Sequence, residues 1–82
     1  MDRNQRIAAA WADDCDATEQ HTAKVLRALS QRSSLTPYSV IEAAKREREA
    51  AGDCEPRRKA AKAALLACAT TLERLATKLH AD

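Results

Sequence analysis

The side chains in this chain that could do chemistry are few, and their spacings decide against most of it. Asp14, Cys15, Glu19 and His21 all carry metal-capable atoms. On a helix, Asp14 and His21 (seven apart) share one face, while Cys15 and Glu19 (four apart) share another. Two ligands on a face do not complete a coordination sphere, and neither Cys54 nor His80 supplies the missing spacing. No metal site is therefore expected. His21 and His80 have no identifiable Ser, Cys or Asp partner, so neither catalysis nor a cofactor is expected either. Cys54 stands just before a helix start rich in arginine, where a thiol can become more acidic. Its plainer reading is an incidental loop cysteine. Cys68 falls on an apolar seam and reads as a small core residue.

The basic run Arg57, Arg58 and Lys59, with Lys62 one turn on, has the charge to meet phosphates or an acidic partner. No aromatic residue interleaves with it, and no Gly-rich loop, helix-turn-helix or zinc-finger spacing accompanies it. Structural pairing or a solvated face is the simpler reading. Trp11 is either the one large anchor of the core or the centre of an interface, where Trp is favoured. Leu66 lies off the main apolar seam of its helix and fits a second contact surface or plain exposure.

These residues must be positioned by helices. Eighty-two residues allow one domain, spanning 1–82, and a small core. Leu, Ile and Val together number twelve, Phe is absent, and Trp11 and Tyr38 are the only aromatics. Nineteen alanines change what this composition means, because Ala is the strongest helix former and lets helices approach closely. An all-α protein of modest stability follows. No run of ~18 apolar residues is present, so no membrane span is expected. The N-terminus lacks the apolar stretch of a secretory signal, so a cytoplasmic setting with reduced thiols at Cys15, Cys54 and Cys68 is expected. The Ala/Arg-rich composition fits a GC-rich bacterial or bacteriophage source.

Three helices are predicted, at about 3–32, 37–51 and 56–80. Asp2 with Gln5 resembles a capping box for the first. Its apolar face reads Ile7, Trp11, Cys15, Thr18, Thr22, Val25 or Leu26, and Leu29. Asp16 and Glu19 would themselves make a capping box, which argues for a break near Asp13 to Asp16, but the flanking alanines favour one continuous helix. Thr36 followed by Pro37 is a strong start for the second helix, with Leu35 and Val40 as a hydrophobic staple. Gly52 is expected to end it in the left-handed conformation. Pro56 opens the third, whose Ala61, Leu65, Cys68, Leu72, Leu75 and Leu79 form a heptad seam.

At ~1.5 Å per residue these helices span roughly 45, 22 and 37 Å. In an up-down-up bundle the short middle helix cannot cover both ends of its neighbours. Ile7 to Trp11 would then protrude at one pole and Leu75 to Leu79 at the other. Each large side chain left wet forgoes ~1.5–3 kcal/mol, so a homodimer or a protein partner is expected to cover Ile7, Trp11, Leu66, Leu75 and Leu79. The same arrangement sets Asp13, Asp14, Asp16 and Glu19 beside Arg57, Arg58, Lys59 and Lys62.

The expected function is a small non-enzymatic protein-interaction module, such as an adaptor, a secretion co-chaperone or a phage-encoded inhibitor of a host complex. The alternative is a nucleic-acid-associated regulator using Arg57, Arg58, Lys59 and Lys62. The helix–Gly/Cys turn–helix outline of residues 37–80 is similar to small helical co-chaperones of type III secretion. That likeness carries no specific motif and implies no residue roles.

Overall fold

The computed structural model describes residues 1–81, all helix and connection, with no strand among them. Four helices appear where three are predicted: α1 (Arg3–Asp14), α2 (Gln20–Ser30), α3 (Pro37–Gly52) and α4 (Lys59–His80). The long first helix is the main correction. It breaks at Cys15 and Asp16, both extended, and a single 3-10 turn (Ala17–Glu19) leads into α2.

Local chemistry explains the break. The Asp16 carboxylate accepts from the Thr18 backbone N–H at 2.8 Å and from its hydroxyl at 2.6 Å, and Glu19 reaches back to the Asp16 N–H. In a continuous helix Asp13, Asp16 and Glu19 would stack at like-charge spacing of three. With the break, Asp16 and Glu19 lie at the positive end of the helix that follows.

The break lets α1 fold back along α2. Gln5 Nε2 donates to the Arg32 carbonyl at 2.6 Å and Asn4 Nδ2 to the Leu35 carbonyl at 2.8 Å, fastening the start of α1 to the α2–α3 connection. Helices α3 and α4 pack along each other, and α2 lies against α4. Thr36 and Ser39 close the capping box that starts α3, and Leu35 and Val40 are both buried. Gly52 ends α3 without the expected left-handed conformation: no glycine has positive φ. Helix α4 begins at Lys59 rather than Pro56, because a turn from Glu55 to Arg58 intervenes.

The core centres on Leu26, Val40, Cys68, Leu72 and Leu75, ringed by Ala8, Ala12, Leu29, Leu35, Ala44, Ala69, Ala76 and Leu79. Leu75 and Leu79, expected to protrude, are inside it. Ile7 and Trp11 are half-buried against its edge. The reason is the hairpin: two short helices, α1 and α2, replace one long rod and cover the C-terminal half of α4. No described helix is long and apolar enough to cross a membrane.

Candidate functional site

Covering one half of α4 uncovers the other. At ~1.5 Å per residue α4 is ~33 Å long and α3 only ~24 Å, and every buried residue of α4 lies between Cys68 and Leu79. Not one residue from 52 to 67 is buried. An overhang therefore exists, but at the start of α4 rather than at its end.

The bare segment has a defined pattern. Ala61 and Leu65 continue the core seam beyond its last fully buried position, Cys68, and are half-buried. Ala60, Ala64 and Ala67 form an exposed strip on one side, at helical spacing of four and three. Lys59, Lys62 and Leu66 share the opposite flank, and Leu66 keeps 37% of its surface exposed. Arg57, Arg58, Lys59 and Lys62 are all exposed. Arg57 Nε donates to Glu55 Oε2 at 2.6 Å, a pair open to solvent. Arg58 stands at the N-cap with no side-chain cap, and no acid occupies the first turn. Helix dipole and side chains thus add to one positive tip.

The acidic cluster does not neutralise it. Trp11, Asp14, Cys15, Glu19 and Thr71 line a shallow surface hollow. Thr71 is nine residues beyond Lys62 on α4, or about 14 Å along the axis. The nearest cation to Asp13 is Arg27, at 4.0 Å, and none of the ion pairs among the described residues joins Asp13, Asp14, Asp16 or Glu19 to Arg57, Arg58, Lys59 or Lys62. The expected pairing of the clusters is corrected: with α1 folded back, the acids sit level with the middle of α4. The hydrogen bonds from Thr18 hold the Asp16 carboxyl below the usual range. Burial, and then Glu19 and Asp16, raise the Cys15 thiol. Cys54 is half-buried in the turn before α4.

Of the interface residues expected from sequence, Leu66 is exposed, Ile7 and Trp11 are partly so, and Leu75 and Leu79 have no surface to offer. The metal-capable residues are also redistributed. Asp14, Cys15 and Glu19 border the Trp11 hollow, whereas His21 turns to α3, its Nε2 lying 2.9 Å from Glu47 Oε2. The buried Cys68 completes a group whose three ligand atoms all lie within 4.8 Å of one another. Burial pushes the Cys68 thiol up to about 11, partly opposed by a hydrogen bond from Thr22. The members are 26 and 21 residues apart on three helices, so no local spacing announces them.

The chain matches no protein-family model, and comparison with curated proteins and with solved structures gives no match.

Proposed function

We propose that this chain is a small non-enzymatic helical module that binds another protein through the uncovered start of α4. The observation that carries the reading is a run of residues, 52–67, without one buried member, made of the turn before α4 and the first nine residues of that helix, whose other half is packed on three sides. An amphipathic helix bare at this length fits a groove in a partner, in the manner of helix-in-groove recognition. Leu65, Leu66 and the strip Ala60, Ala64 and Ala67 would supply the apolar contact. Arg57, Arg58, Lys59 and Lys62 would meet an acidic rim, which sets orientation and speeds association. Ile7 and Trp11, half-buried on α1, lie away from this surface, Trp11 at the level of Thr71, and would contribute only to a separate contact. An adaptor, a secretion co-chaperone and a phage-encoded inhibitor are all versions of this mode, in a cytoplasmic setting.

The alternative is nucleic-acid binding, favoured by the same four exposed cations on an uncapped helix start. No aromatic residue lies between 52 and 67 to stack on a base, which ranks this reading second. The two differ in salt response. Binding to phosphates weakens by a log–log slope of about 0.9 per neutralised phosphate, and an apolar contact does not.

The deciding experiment isolates the complex that the wild-type chain forms in its host and repeats the isolation with Leu66→Glu and with Lys59→Glu/Lys62→Glu. Loss of the complex in both, with helix content kept, supports the reading. A complex indifferent to both sets overturns it.

A further inference from the structure

We propose that His21, Glu47 and Cys68 form a binding site for a divalent transition metal of the zinc class. The three donors come from three helices: imidazole from α2, carboxylate from α3 and thiol from α4. Their mixture of nitrogen, oxygen and sulfur is the set that zinc takes, and no pair of ligand atoms is more than 4.8 Å apart. Metal–ligand bonds of roughly 2.0–2.3 Å at tetrahedral angles put donors roughly 3.3–3.7 Å apart. The His21–Glu47 pair, at 2.9 Å, would open slightly and Cys68 would close by up to about an ångström. Side-chain rotation covers such a change without moving a helix.

Charge also fits. When the metal binds, the Cys68 thiol gives its proton to solvent as the sulfur–metal bond forms. Thiolate and carboxylate then cancel the two charges of the cation, and neutral imidazole adds none. A neutral assembly is what a half-buried position tolerates, because an unbalanced ion there would face a desolvation cost. The position grades from core to solvent: Cys68 is fully buried, the Glu47 side chain is 16% exposed and the His21 side chain 45%. An ion can therefore arrive from the His21 side, where a water would occupy the fourth position.

The site would also do structural work. Among the described residues, the His21–Glu47 contact is the one side-chain hydrogen bond joining α2 to α3. A metal would replace that exposed pair with a three-way clamp that also holds α4. The plain alternative is a hydrogen-bonded His21–Glu47 pair lying over an unrelated core cysteine. The proposal is independent of protein binding at the start of α4, since Cys68 is the last turn before that surface and faces inward.

The test uses the full chain with Cys15→Ser and Cys54→Ser, leaving Cys68 as the only thiol. Titrated with Co2+ alone, it should gain thiolate-to-cobalt charge-transfer absorption in the near ultraviolet, saturating at one ion per chain and displaced by Zn2+. His21→Ala and Glu47→Gln, both at the surface side of the site, should keep helix content and weaken Co2+ affinity roughly 10-fold or more each. Zn2+ should raise the melting temperature of the parent and not of these variants. Cys68→Ala should lose the charge-transfer band. No band in the parent overturns the proposal. So does a band whose affinity is unchanged by His21→Ala and Glu47→Gln, which would mean adventitious thiol binding. Should Cys68→Ala fail to fold, the two surface variants decide alone.

Discussion

Two leucines on the same helix should respond in opposite ways to substitution. Leu75 is fully buried among Leu26, Val40 and Leu72, whereas Leu66 keeps 37% of its surface on the bare start of α4. Leu75→Ala removes buried methyl groups and leaves a cavity, at a cost of about 2–5 kcal/mol. A domain of this length has about 4–12 kcal/mol in total, taking about 0.05–0.15 per residue. The variant should therefore lose a large part of its stability, and its melting temperature should fall by about 10 °C or more, since each kcal/mol shifts a domain of this size by about 4–8 °C. Leu66→Glu acts at a position outside the buried core and exchanges one good helix former for another. It should change stability by no more than about 0.5 kcal/mol while abolishing partner binding. Urea and thermal melts followed by circular dichroism, at two protein concentrations, read both. If Leu66→Glu is as damaging as Leu75→Ala, the start of α4 is covered in the folded particle and the interaction surface lies elsewhere. If the Leu66 penalty appears only at high concentration, the cover is a second copy of the chain.

Arg58→Asp would give α4 the side-chain cap it lacks, and should stabilise the fold by about 0.5–2 kcal/mol while weakening capture of an acidic partner; a melt and a binding titration on one sample check both. The Asp16 carboxyl, held below its ordinary value of 3.8 by Thr18, favours its charged form only in the folded turn. Its contribution is thus present above the unfolded value and lost as pH falls through the lower folded one, so a carbon-detected NMR titration should place its midpoint below 3.8 and Thr18→Val should move it up. Alkylation of the native protein by iodoacetamide should spare Cys68, which has no exposed surface, and label the half-buried Cys54 and Cys15 first; equal rates at all three would contradict the packing of α4.

How much of this was legible depended on how far apart the deciding residues lie. Thr36, Pro37 and Ser39 decide the start of α3 among themselves, and the seam from Ala61 to Leu79 follows from a repeat inside one helix. Both are local and both were readable. The turn at Asp16 was written locally too, in Asp16, Thr18 and Glu19, yet alanine-rich flanks argued against it. What tips that balance is distant: folding back buries Ala8 and Ala12 completely and half-buries Trp11, and no helix propensity contains that gain. The same limit hid which half of the α4 seam is covered, since a heptad pattern is identical at both ends. It also hid the contact of His21 with Glu47 and Cys68, which exists only after three helices have been packed.

The distribution of helix-end chemistry is the strongest argument that the start of α4 has a purpose beyond the fold. Asp2 with Gln5, Asp16 with Glu19, and Thr36 with Ser39 each close a capping box. The chain therefore uses good start signals at α1, at α3 and at the 3-10 turn that leads into α2, although α2 itself starts at Glu19 without a side-chain cap. At α4 the start is basic instead, with Arg58 at the N-cap and Lys59 and Lys62 in the first turn. Every one of those choices costs stability locally, because like partial and full charges face each other. They coincide with a stretch of helix, residues 59–67, in which no apolar side chain is buried. Natural sequences tolerate conflicts of this kind chiefly where function requires them. A groove with an acidic rim removes both at once, supplying anions to the positive tip and a dry surface to Leu65, Leu66 and the alanine strip.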